Sequence, residues 1–355
     1  MNDVNEFLKE MVSAPGLSGY ESPVRKIIET RWRPLVDELQ VSKVGSLEGL
    51  KKGSGSKPRK SILLAGHMDA IGLMATRVVN GFIYFTQVGG VDPRVLPGQP
   101  VHVHGKELLE AVVIQPPDFL IPGHTAGAPV PMEHLVIDTG LSADKVAELV
   151  RPGDIISFAQ PPFELSGDTL AGHTLDDRAA VAAITICLQE LQTRIHKWDV
   201  WAVATVQEET AYLGAYTSGF GLEPDLTIAI DVTHAKGPGT SESDIATLGK
   251  GLVLGWGPNI HPKWYEAFQK AADEMDMRYQ KDVMPGHSGT DGYALQIVST
   301  SRPNMVISIP LRYMHTPVEL VSMKDIRRVG RLMAEVISKL DEDYLDKLDW
   351  EGNND

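Results

Sequence analysis

Apolar and polar positions change their spacing along the chain, and the changes mark out its elements. Ser18 followed by Glu21 has the form of a capping box, which predicts a helix through VRKIIETRW. The polar run KKGSGSKPRK, Lys51 to Lys60, reads as an exposed loop that feeds the apolar strand SILLAG. From about Ile71 to Pro162 short alternating runs are separated by Gly, Pro and Asn, the texture of an all-β module. Its clearest piece is TRVVNGFIYFTQV, in which Asn80-Gly81 supplies two turn residues that accept positive φ. PVHVHGKELLEAVVIQ and GDIISF carry further strands. After Asp168 helical periods alternate with apolar strands. A helix is predicted from Arg178 to Ile195, strands at VWAVATV, LTIAI and MVISI, and an amphipathic helix at KWYEAFQKAADEM. The last helix opens at Ser322, and Ile326, Val329, Met333, Val336, Ile337 and Leu340 give it one apolar face. Such alternation builds an α/β sheet. The simplest architecture is an α/β domain made from residues 1–70 and 163–355, with an all-β domain, 71–162, inserted in it.

Size and charge narrow the function. With 355 residues, 43% of them hydrophobic, the chain has apolar surface for a substantial core and is long enough for two domains at roughly 150 residues each. No apolar run approaches the ~20 residues that span a bilayer, and MNDVNEFLKE lacks the apolar centre of a signal peptide, so a cytoplasmic protein without a membrane partner is expected. Cys187 is the only cysteine, which excludes an internal disulfide or a thiolate metal site. A net charge of -14 argues against nucleic acid and favours cationic ligands or metals.

The candidate chemistry lies at strand ends. SILLAG runs into His67 and Asp69, VWAVATV into Glu208 and Glu209, LTIAI into Asp231, and MVISIP leads towards His315. Open α/β sheets bind ligands beyond the carboxyl ends of their strands, so these ends can meet in one crevice, and Asp176 in HTLDDR could reach it too. Imidazoles and carboxylates without thiolate suit zinc, cobalt or manganese, and a carboxylate can bridge two ions. Asp69, two residues after His67, is placed to accept the imidazole's other N–H. Neighbouring glutamates on extended backbone point in opposite directions, so Glu208 and Glu209 should divide metal binding and proton transfer between them. Each feature has a plainer reading. His-x-Asp alone says little, Glu-Glu is ordinarily a solvated patch, and Asp-Asp before a helix is ordinarily a cap. Their joint placement after apolar strands, where charge is costly, is what singles them out. His102 and His104 lie in the β module among no acids and read as surface or packing residues, and His124, His134, His196, His234 and His261 are given no role.

With these residues in hand, the chain resembles the tetrahedral aminopeptidases, the glutamyl and leucyl aminopeptidase-like group also labelled cellulase M, in the co-catalytic metallopeptidase clan. APGLSGYE, GHMDAIGL, LDDR, VQEE with Gly214-Ala215, IDVTHA, HSGTD and RYMHTPVE occur in that family's order from end to end of the chain. The resemblance implies a phosphorylase/hydrolase-like three-layer αβα domain with an inserted β-barrel or PDZ-like domain, and dimers that assemble into a dodecamer. It implies two divalent metal ions per subunit, zinc or cobalt with manganese as a third option, acting on peptide substrates. Asp176 would bridge the ions, His67 and Asp231 would complete one, Glu209 and His315 the other, with Glu208 as general base and Asp69 supporting His67. His173, Ala180 and Gly292 depart from the family's usual Lys, Gly and Ala, and these flanking positions bear on substrate preference. Two other classes stay open: a glycoside hydrolase, which glucanase activity surviving chelation would support, and a catalytically silent metal-binding oligomer, which inertness towards aminoacyl reporters would support.

Overall fold

A computed structural model describes residues 2–121, 128–240 and 245–348. His124 lies outside them. The centre of the molecule is a set of mutually parallel strands in the order Asp199–Thr205, Ser61–His67, Leu226–His234, Asn304–Arg312. Their near-continuous Val, Ile, Leu and Ala content follows from burial on both faces, as parallel strands require. Antiparallel strands extend this core into an 11-stranded sheet. On one side Leu175–Glu190 packs against Met323–Ser338 and Asn2–Ser13; a second group, Leu213–Leu222 with Asp291–Ile297, packs on the same strands. The architecture is α/β with three layers.

The inserted module is a closed barrel of six strands, Gly72–Val79, Phe82–Val88, Val136–Asp138, Leu108–Ile114, Pro100–His104 and Ile155–Phe158. Closure removes the exposed strand edges that such short segments would otherwise present. Its own core, with Ile83, Val103, Val113 and Ile137, is separate from the core under the large sheet. Asn80 and Gly81 form the predicted tight turn, with φ of 52° and 85° and Val79 opposite Phe82. Among the described residues no helix is long and apolar enough to cross a membrane.

Two local expectations are corrected. Ser18 and Glu21 do not form a capping box at the helix Ser22–Trp32. The Ser18 hydroxyl donates to Asp69 Oδ2 at 2.5 Å, and Glu21 Oε1 accepts from the amides of Gly19 and Gln207 at 2.6 and 3.2 Å. A charged, fully buried acceptor is a stronger partner for a hydroxyl than a helix-end amide. The helix through Arg178 stops at Glu190 rather than Ile195, because Gln192 and Thr193 turn back onto the carbonyls of Gln189 and Glu190. The last helix does begin after Ser322, though without a side-chain cap; Asp325 accepts instead from the amides of Gly249 and Gly251 at 2.6 and 3.1 Å.

Candidate metal centre and active site

Parallel alignment sets the strand ends level. His67 pairs with Thr205 in the sheet register, and Asp231 with Ser308, so the loops after all these strands leave from one edge. There the chain brings together His67, Asp176, Glu208, Glu209, Asp231 and His315, which line a cavity of about 460 Å³ with Tyr212, Asp282 and Met284 among its other walls. The Asp176 carboxylate lies between the imidazoles: Oδ1 is 3.1 Å from His67 Nε2 and Oδ2 is 3.3 Å from His315 Nε2. His315 Nε2 is also 3.3 Å from Glu209 Oε2, and Glu208 Oε2 is 3.8 Å from His67 Nε2. Donor atoms of His67, Asp176 and Glu209 lie within 4.8 Å of one another, as do those of His67, Asp177 and Asp231.

Asp69 is fully buried and serves several partners. Its backbone carbonyl is 3.1 Å from His67 Nδ1 and its Oδ1 is 3.5 Å from the same nitrogen. The carboxylate accepts from the amides of Glu208 and Glu209 at 3.0 and 3.3 Å and from Ser18. The backbone carbonyl is thus the nearer acceptor for the ring, while the carboxylate clamps the turn that carries both glutamates. That turn is not extended as expected. Glu208–Ala211 is one helical turn entered through Gln207 at φ 55°, because the Asp69 carboxylate gathers successive amides that an extended chain would point apart.

Three buried acids without an assigned role complete the site. Glu319 accepts from the Asp176 amide at 3.1 Å and from the His315 amide at 2.9 Å, so one side chain sets the spacing of both residues. Asp177 Oδ2 accepts from the His67 amide at 3.3 Å, across a cis peptide from Asp176. Asp291 accepts from Thr205 Oγ1 at 2.5 Å. Each lies inside a motif already noted, in LDDR, HSGTD or HTPVE, and a carboxylate in so apolar a setting was the available signal.

The electrostatics show what such a cluster lacks. Burial, with repulsion from neighbouring carboxylates, pushes Glu208, Glu209, Asp177, Asp231 and Glu319 above the usual carboxylate range, and Asp291 up to about 6. Asp176 goes the other way: burial opposes its ionisation, but hydrogen bonds with His315 and His67 outweigh that. The bonds to Asp176 and Glu209 raise His315 to about 11. Glu209 Oε1, Asp177 Oδ1 and Asp291 Oδ1 are buried without hydrogen-bond partners among the described residues. Uncompensated negative charge with orphaned oxygens and imidazoles fits a divalent cation site, since cations satisfy the oxygens and relieve the repulsion together. The donor set, nitrogen and oxygen without sulfur, suits zinc, cobalt or manganese.

His102 and His104 line a second cavity with His173, and His104 Nε2 is 2.8 Å from Ser157 Oγ. His234 lines the acid-rich cavity, whereas His134 and His196 are not among its lining residues. His261 precedes the helix Pro262–Glu274.

Comparison with known proteins agrees with this chemistry. The chain is 32% identical over 341 residues to a lysyl aminopeptidase of Pyrococcus furiosus, covering 94% of this chain and 97% of that one. The TET aminopeptidase of a marine-sediment Thaumarchaeota archaeon superposes with a TM-score of 0.92 at 28% identity, over 98% of this chain and 99% of the other. The TET1 peptidase of Pyrococcus horikoshii, described as assembling into a tetrahedron or a large octahedral shell, gives 0.82 at 29% identity over 95% and 100%. The family model described as M42 glutamyl aminopeptidase matches residues 45–332. The chain therefore belongs to the M42 glutamyl aminopeptidase family, whose members are metal-dependent peptide hydrolases.

Proposed function

We propose that the protein removes residues from the N-termini of peptides using a pair of divalent ions, with Glu208 as the general base. His67 and Asp231 would hold one ion and Glu209 and His315 the other, with Asp176 shared. The observation that carries this reading is the Asp176 carboxylate, which offers one oxygen towards each imidazole. Bound there, the ions would activate a water and polarise the peptide carbonyl. Glu208 is buried and its proton affinity is raised, which suits a group that takes a proton from the attacking water and passes it to the leaving amine. Asp69 keeps that carboxylate in place by holding its backbone amide, and Glu319 holds Asp176 and His315 in register.

Charge also bears on the substrate. Among the described residues lining the cavity there is no lysine or arginine, while Asp282 stands in its wall. Away from the ions and their ligands an acidic N-terminal side chain meets no lysine or arginine there, whereas a basic side chain meets Asp282, so lysyl substrates should be preferred to glutamyl ones. Assembly through the barrel, as dimers building a dodecamer, is supported by the TET1 relative's shells and by the exposure of Leu108, Phe119 and Leu120 on the module. Glu208→Gln is expected to lower turnover of lysyl and leucyl reporters by about 10²- to 10⁴-fold while elemental analysis still finds the metals. Loss of metal in that variant would instead make Glu208 a ligand.

A further inference from the structure

His315 is the least enclosed of the groups that meet in the acid-rich cavity. Its side chain is 34% exposed, against 2% for His67, 7% for Asp176 and 6% for Glu209. A ligand in that position needs support from outside the acids to keep one orientation. Its backbone is held, because the amide donates to Glu319 and φ of 61° is a conformation that a histidine keeps only where its surroundings impose it. Nε2 stands between Asp176 and Glu209, 3.3 Å from each. That leaves the Nδ1 edge of the ring.

The Nδ1 edge rests on the barrel. Gly90 is the one residue of the inserted module among the described residues lining this cavity. A Cβ at position 90 would stand 2.9 Å from His315 Nδ1 and 3.2 Å from its Cε1, inside the separation at which carbon packs against a ring. Gly90 is not among the glycines at positive φ, so the imidazole, and not the backbone conformation, is what excludes a side chain there. The turn has no room to draw back. On one side Val91 is buried in the barrel's own core; on the other Gly89, at φ 74°, is so close to Ile71 that a Cβ on it would lie 2.6 Å from Cγ2. A methyl group added at position 90 must therefore turn the ring, out of line with Asp176 and Glu209.

We propose that Gly90 is a positioning residue for His315: the barrel's turn backs the imidazole, and the missing side chain leaves the ring where an ion shared with Glu209 and Asp176 would meet it. The inference rests on His315 being a metal ligand, as proposed above, and it extends the metal centre to the inserted barrel. The ion on the His315 side then depends on how the barrel is seated, and the ion on the His67 side does not.

Cobalt titration of metal-free protein, followed by visible absorption and by competition with a chelator, tests this on Gly90→Ala, Gly89→Ala and His315→Ala. In Gly90→Ala one ion should bind about 10- to 100-fold more weakly, with an altered absorption band, while the other binds as in the unaltered protein. Gly89→Ala, whose methyl meets Ile71 and not the ring, should melt at a lower temperature and keep both affinities. Unchanged affinities and band in Gly90→Ala overturn the proposal. So does an equal loss in Gly89→Ala, which would assign the effect to the fold of the turn. His315→Ala separates the two readings: if it loses no ion, the ligand reading falls and this one with it, whereas if it loses one and Gly90→Ala weakens none, only this one falls. Should Gly90→Ala fail to fold, its combination with His315→Ala decides, because removing the ring relieves the contact. A folded double variant supports the proposal, and an unfolded one overturns it.

Discussion

His67 and His173 are both buried imidazoles, lining different cavities, and their surroundings give them opposite chemistry. Burial lowers the proton affinity of each. At His67 the charges of Glu208, Asp176 and Asp69 reverse that and raise it well above the ordinary value. At His173 Arg178 adds to the burial and the ring stays neutral. The residue type therefore does not decide whether a buried histidine takes up a proton. The balance of carboxylate and guanidinium charge around it does.

That contrast can be broken from either side. The largest expected effect is from His315→Ala, which removes a nitrogen beside Asp176 and Glu209. Turnover should fall on the order of 10²- to 10⁴-fold, with fewer ions bound per chain, and full metal occupancy would show that His315 is not a ligand. Glu319→Gln keeps the side-chain size but weakens its hold on two amides. A drop in metal affinity of about 10- to 100-fold is expected in competition with a chelator, and unchanged affinity would reduce Glu319 to packing.

Chelation sharpens the acidic side. Acids with raised proton affinity favour the folded state only while protonated, so their contribution is present at low pH. It is lost as pH rises out of the ordinary carboxylate range, through about 6 for Asp291 and higher for Glu208 and Asp231. The melting temperature of chelated protein should thus fall as pH rises from about 4 through about 6 and beyond, and that of the loaded protein should not. His173 acts in the reverse sense. A histidine with depressed proton affinity destabilises the fold as pH drops below 6.5, where the unfolded chain takes a proton that the folded one refuses until about 3. His173→Phe should remove on the order of 1 to 2 kcal/mol of that acid sensitivity at about pH 5, measured as the difference in denaturant midpoint from neutral pH. Equal acid sensitivity in the two proteins would mean that the ring is protonated.

Much of this was legible in the chain. Asn80-Gly81 fixed a hairpin because few residue pairs accept its backbone angles, and the strand ends carrying His67, Asp231 and Glu208 stood out as charges after apolar runs. What was not legible depended on partners distant in sequence. Ser18 reads as a cap until Asp69, 51 positions away, offers a stronger acceptor. Glu208 and Glu209 read as an extended pair until the same carboxylate curls their backbone. The antiparallel strands Leu47–Lys51 and Glu319–Ser322 are too short to announce themselves by alternation. His102, His104 and His173 gain a shared setting only when the barrel closes against the sheet.

The spread of the acid-rich cluster along the chain has a consequence for biosynthesis. Its members run from His67 to Glu319, and the amides of Asp176 and His315 are spaced by that final acid. A chain still emerging from the ribosome holds most of the acids but lacks the closing imidazole and the residue that aligns it. Proteolytic competence should therefore arrive late in synthesis, so that nascent fragments and truncated products remain harmless to the peptides around them.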